Sequence, residues 1–333
     1  MKIFLFIYIL LTTCIGCTNK EKEMNLPITT NNKVKITKEN FKKELAKYIR
    51  SYEKEPIYYI YVNHEQCFFE VLVNDIPAFR YFRDGGIMSP INLNEYIYHS
   101  GKQTITYRLY SQTFREDGPG FKTLTDYTKF EITGYLRDNA DSINTFDNEV
   151  TILEHKNLIK ENTNRFIGSG LPYYEYTIEF NAEVPFTDST LDNVQDLNKY
   201  EYEILLQKTT SAYQYYRKTI ENKDFDNFLN LNFNSCVKSL ISLYDNQDYI
   251  NSVYENYSEE FTSDNYTLEP LENYKMKIYA NGKIVCLENK STNLRLFNRS
   301  SIWGKFTTQD GITASFLKLY LYIPEGKDTF EIW

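Results

Sequence analysis

The chain has 333 residues and a formal net charge of -8, from 37 Lys and Arg against 45 Asp and Glu. Its length suits about two domains, and 42% hydrophobic with 25% charged residues is the balance of a globular protein, not a disordered or fibrous one. The acidic excess excludes the basic footprint that a nucleic-acid binder needs to displace counterions.

At the N-terminus, Lys2 precedes the apolar run Ile3 to Leu11, and Thr12-Thr13-Cys14-Ile15-Gly16-Cys17 follows. Nine apolar residues are too few for the roughly twenty that a helix needs to cross a bilayer, so the run reads as an export signal. Because the run ends at a small residue followed by a cysteine, it resembles the bacterial lipoprotein signal, whose lipobox places a small residue before the cysteine that is acylated. Two cysteines fit that resemblance. Cys17 follows Gly16 and is the expected acceptor, with Cys14 after Thr13 as the alternative. The resemblance implies a membrane anchor, because each buried methylene adds about 0.8 kcal/mol and two or three chains hold where one lets go. It also implies the cell envelope, and the outer membrane in particular, because Thr18 rather than an aspartate follows Cys17. The polar stretch from Thr18 to Asn32 reads as a flexible tether.

Acylated Cys17 would leave Cys67, Cys236 and Cys286, so at most one intramolecular disulfide can form. No C-x-x-C occurs, and His64, His99 and His155 show neither H-x-x-x-H nor H-E-x-x-H spacing, so no cofactor or metal is expected.

Beyond the tether, Thr37 is expected to cap a helix over Lys38 to Tyr52, with Phe41, Leu45, Tyr48, Ile49 and Tyr52 on one face and Pro56 ending it. Strands follow at Ile57 to Asn63, Cys67 to Val73, Ala78 to Phe82, Thr104 to Tyr110, Thr128 to Leu136, Glu149 to Glu154 and Tyr173 to Val184. Their period of two, with one wet face, predicts an antiparallel β-sandwich. The stretch Ile91 to Ile97 with Ser100-Gly101-Lys102-Gln103 resembles a pattern of exported bacterial β-sandwiches, in which a short helical turn and a glycine lead into an edge strand.

From Asp192 the period becomes 3.6. Leu197, Ile204, Leu205, Ala212, Tyr215, Tyr216 and Ile220 predict one long helix, and shorter helices follow with Asp224 and Asp248 as caps. Asp192 to Glu260 holds 12 acidic and 6 basic residues, whereas Phe261 to Trp333 holds 8 and 9. The Asn281-Gly282 pair predicts a two-residue hairpin between Lys275 to Ala280 and Lys283 to Glu288. Leu294 to Phe297, Ala314 to Ile323 and Thr329 to Trp333 complete a small antiparallel sheet. The phrase Ile220 to Phe228 weakly resembles the second-helix start of NTF2-like domains. The expected fold class is therefore mixed and mainly β. Its expected organisation is a signal peptide over 1–16, a lipidated cysteine and tether over 17–37, a β-sandwich over 38–190, and a helical segment plus small sheet, an α+β unit, over 191–333.

No catalytic constellation stands out. Glu175 and Glu179 lie about 13 Å apart along one strand, too far for a glycosidase pair within it. The loop Asp138 to Glu149 has EF-hand length but Ala140 and Ile143 break the template, and Gly168-Ser169-Gly170 lacks the G-x-S-x-G frame. His64 and His99 read as exposed residues at strand ends. Tyr58, Tyr59, Tyr96, Tyr98, Tyr173 and Tyr174 are the candidate recognition aromatics, because tyrosine offers apolar area and a hydroxyl at small entropic cost. The expected function is non-catalytic recognition of a protein or glycan partner at the bacterial envelope from a membrane tether. The alternatives are an envelope hydrolase assembled from distant residues, or a structural or immunity-type lipoprotein.

Overall fold

Alternating rings and aliphatics at the front of the chain fold into two stacked sheets. The computed structural model describes residues 26–116, 118–141, 148–309 and 311–333. In these, a short helix α1 (Phe41–Ala46) precedes β1 (Pro56–Glu65), β2 (Cys67–Val73), β3 (Ile76–Tyr81), β4 (Ile91–Asn92), β5 (Gly101–Ser111), β6 (Lys129–Asp138), β7 (Val150–Lys156) and β8 (Tyr173–Ala182). One antiparallel sheet has the order β4-β1-β6-β7 and the other β3-β2-β5-β8. Between them, Phe69 of β2 and Tyr107 of β5 meet Phe130 of β6, with ring centroids 5.1 and 4.7 Å apart. The chain is mixed and mainly β, with a sandwich at its front.

Helices α2 (Tyr202–Glu221), α3 (Phe225–Ser242) and α4 (Gln247–Thr262) come next. The strands β9 (Tyr266–Leu268), β10 (Tyr274–Tyr279), β11 (Ile284–Asn289), β12 (Trp303–Thr308), β13 (Gly311–Phe316), β14 (Leu321–Tyr322) and β15 (Glu331–Ile332) follow. They form the sheets β10-β11-β14-β15 and β13-β12-β9. Tyr213 ties α2 to the first of these: its buried hydroxyl donates to the Leu319 carbonyl at 2.6 Å and accepts from the Leu287 amide at 2.8 Å. This second half covers the outer face of β2, which is why all of β2 is buried instead of half. One apolar core runs through both halves, from Phe69 and Tyr107 to Ile284 and Leu321.

Several expectations are corrected. The helix over Lys38 to Tyr52 shrinks to α1, because Asn40 folds back to the Thr37 amide and the Lys35 carbonyl, while Arg50 takes the Lys47 and Ile49 carbonyls. The stretch read as tether is docked from Pro27 onward: Ile28 bridges Phe330, Asn32 donates to the Asn230 carbonyl at 2.8 Å, and Ile36 is fully buried. Gly101 does lead from a short helical turn (Asn94–Tyr96) into β5, but β5 lies inside its sheet, between β2 and β8. The long helix starts ten residues late, at Tyr202. Asp196 instead caps a separate turn (Leu197–Lys199), and Ile204 is exposed while Tyr213 takes its place inside.

The short helices after Asp224 fuse into α3, and α4 is capped by Asn246 rather than Asp248. Asn281-Gly282 sits in a four-residue turn with Ala280, Asn281 and Gly282 all at positive φ, and a Cβ on Gly282 would strike Asn198 and Asp196. Leu294 to Phe297 is turn rather than strand, and Ala314 to Ile323 breaks into the end of β13 and β14.

Candidate functional site

Where the two halves meet, the outer face of the β3-β2-β5-β8 sheet carries charge. Glu70 of β2 and Arg80 of β3 are direct cross-strand partners, and their side chains pair at 2.9 Å. Arg80 also binds Glu288 of β11, so one guanidinium bridges two carboxylates from opposite halves. Burial opposes the Arg80 charge, but Glu288 and Glu70 outweigh it and hold its pKa well above the ordinary value. Neighbouring polar groups close most of the remaining valences: Tyr110 and Asn298 donate to Glu70 at 2.7 and 2.9 Å, and Tyr279 donates to Glu288 at 2.7 Å. One Glu288 oxygen, Oε2, is buried without a partner. An orphaned buried acceptor is costly and marks where a donor is missing.

This seam opens into a groove of about 1340 Å³. One wall is β3 with the following turn, and the other comes from β11, the turn 293–300 and the segment 316–320. The lining holds five cations (Arg80, Arg83, Arg295, Arg299 and Lys318) against three carboxylates (Asp84, Glu116 and Glu288). Arg80 is spent on the bridge. Arg83, Arg295, Arg299 and Lys318 have no ion-pair partner among the described residues, and all four are exposed. Arg83 lies over the Tyr81 ring and Arg299 over the Phe316 ring, which orients them without neutralising them.

Partial desolvation by the groove walls, then the charges of Arg80 and Arg83, push Arg299 below its ordinary value. An arginine displaced this way still keeps its proton at neutral pH, so it gains from a nearby anion. Lys318 is held above its ordinary value chiefly by Tyr96, whose hydroxyl lies 3.3 Å away. Asp84 is engaged: the Glu116 and Gly85 amides hold it below the usual carboxylate range, with Gln112 adding a side-chain bond at 2.7 Å. Burial pushes the Cys286 thiol in the groove wall well above its ordinary value, which leaves it inert as a nucleophile.

The candidate residues read from sequence fall elsewhere. Cys17 and Cys14 lie outside the described residues, and the loop 138–149 does so over 142–147. Tyr58, Tyr59 and Tyr96 are core residues and cannot stack on a ligand: Tyr58 meets Phe180 inside the sandwich, and Tyr59 stacks on Tyr135. Tyr98 is half-buried against Trp333. Of the six, Tyr173 alone is exposed, where it donates to Glu175, and Tyr174 packs edge-on to Phe166. Glu175 and Glu179 are paired with Arg108 and Lys102 on the outer face.

His64 is not exposed but packed on Phe69 and Tyr81, and burial lowers its pKa. Cys67, Cys236 and Cys286 are all buried free thiols. Among the described residues no group of three or more His, Cys, Asp or Glu could hold a metal ion, and no helix is long and apolar enough to cross a membrane. No protein-family model, curated protein or solved structure matches the chain.

Proposed function

We propose that this chain is an exported lipoprotein, held to the bacterial envelope through lipid on Cys17, whose groove captures an anionic ligand without turning it over. The observation that carries the groove reading is the set of four cations without an ion-pair partner among the described residues, Arg83, Arg295, Arg299 and Lys318, on a protein whose net charge is -8. Holding like charges together in one concavity costs self-repulsion, and low-dielectric walls focus that positive field onto a ligand of opposite sign. Arginine supplies a planar fork suited to carboxylate, sulfate or phosphate. Recognition is favoured over turnover because the groove's anchored groups are committed: Asp84 to turn amides, Glu288 to Arg80, and the Cys286 thiol to its protonated form.

The test is binding of polygalacturonate and polyglutamate to the full chain, with neutral dextran as control. Both anions should bind with an affinity that falls steeply with salt, and R295A/R299A should weaken them at least about tenfold, since each charge-assisted bond contributes about 1.5–3 kcal/mol. Equal binding of dextran, or no effect of the double variant, would remove the groove from the proposal. Release of reducing ends or amines from these polymers would replace capture by hydrolysis. The anchor is tested by radioactive fatty-acid labelling. Label should vanish in C17A and persist in C14A; the reverse pattern would make Cys14 the acceptor, and label surviving both changes would end the lipoprotein reading.

A further inference from the structure

We infer that the ligand of this groove is an extended acidic peptide that adds a strand to the free edge of β3. The inference rests on the anionic-ligand reading and names its partner class. The residues 77–83 line the groove without a gap, and β3 is the terminal strand of its sheet. Along an antiparallel edge, alternate residues turn both N–H and C=O away from the neighbouring strand, here away from β2 and toward the groove. Residues 78–83 make no backbone bond outside the β2 ladder among the described residues.

Edges of this kind are usually blunted. Here the protection is confined to one end: Pro77 lacks an amide hydrogen, and the β2–β3 register shifts beside it, between Val71 and Leu72. The remaining window of strand, 78–81, spans about 13 Å of extended chain before the bend at Arg83.

Charge sets the partner's sequence. Phe79 and Tyr81 lie on the Phe69 side of the sheet, toward the sandwich interior, whereas Arg80 reaches Glu288 in the opposite wall. An added strand continues this alternation, so every second side chain would face the wall that carries Arg295, Arg299 and Lys318. Acidic residues at every second position satisfy those cations. A peptide also has what a glycan lacks, a ladder of amides matched to the β3 edge.

The experiment uses the full chain and a blocked heptapeptide alternating Glu and Val, read by fluorescence anisotropy. Two further peptides carry N-methyl groups on the odd or on the even amides. Strand addition predicts that one methylation phase weakens binding at least about tenfold, as expected for losing two or more hydrogen bonds of about 0.5–1.5 kcal/mol each, while the other phase stays within about threefold. Equal binding of both methylated peptides and the parent, or binding of polygalacturonate with none of the heptapeptide, would overturn strand addition and leave the anionic groove standing. Binding of neither polygalacturonate nor the heptapeptide would overturn both.

Discussion

The sandwich interior and the seam between the halves are held together by opposite means. Inside the sandwich, Phe69, Tyr107 and Phe130 meet ring to ring, and the contact holds no ion pair. At the seam between the halves, Glu70, Arg80 and Glu288 are just as deeply placed, with 2%, 11% and 2% of their side chains exposed. The first interface is stabilised by close-packed apolar volume. The second fixes one register, because a carboxylate displaced from Arg80 would be left bare in a low-dielectric seam. The groove lies beside the seam, and Arg80 and Glu288 are part of its lining.

The contrast can be broken from either side. Phe130→Ala, which empties a fully buried ring site, should cost about 4 kcal/mol, read as a drop in the urea midpoint, relative to wild type, of the same size at pH 5 and pH 7. A drop that changes with pH would mean that Phe130 also supports the histidines packed on its neighbours, His64 on Phe69 and His155 on Tyr107. Arg80→Met should cost about 3 kcal/mol at pH 7, because it strands two buried carboxylates. Acid should restore part of that loss, since a protonated carboxyl is cheaper to bury than a carboxylate. The triple variant E70Q/R80M/E288Q should recover most of it, and failure to do so would show that the bridge stabilises beyond the charges it cancels.

Sequence legibility follows the same division. Each of the seven predicted strands is present within a few residues, because an alternating pattern such as Ile105, Tyr107, Leu109 reports burial through a local period. The groove was invisible. Its cations sit at 80, 83, 295, 299 and 318, and each reads as an ordinary solvated charge until the chain brings them together. Arg80 and Glu70 even occupy the positions where a half-wet strand should face water. They are covered only because the second half packs there, which no period can reveal. The shorter helices expected after Asp224 run on as α3, whose buried Asn232 donates to the Phe228 carbonyl and accepts from Tyr216. The tyrosines misled because their hydroxyls suggest surface, whereas Tyr58 satisfies its own inside, accepting from the Glu183 amide at 2.7 Å.

A smaller effect sharpens the comparison at a third charged site. Lys238 of α3 stands 2.9 Å from the centre of the Trp333 ring, and burial, with Lys318 adding to it against the pull of Glu95 and Asp188, lowers its pKa from 10.5 to about 7. Between those values the unfolded chain holds the proton that the folded chain has released. Stability should therefore rise with pH across that window, and the penalty is fully present below about 7. Lys238→Met should flatten the rise and be the more stable protein at pH 6.5. Parallel urea midpoints for the two proteins from pH 6.5 to 9 would show that this charge is compensated as fully as Arg80.

The smallest expected change belongs to neither interface and serves as their control. Asp224 starts α3, and its carboxylate accepts from the Asn227 amide at 3.2 Å, filling one of the valences that a helix start leaves open. Asp224→Ala should cost about 1 kcal/mol. The carboxylate also faces the positive end of the helix dipole. The loss should add independently to Phe130→Ala and to Arg80→Met, because the cap touches neither the rings nor the bridge. Non-additivity with Arg80→Met alone would show that α3 transmits strain to the seam, and the groove beside it would then answer to the helix as well as to its own charges.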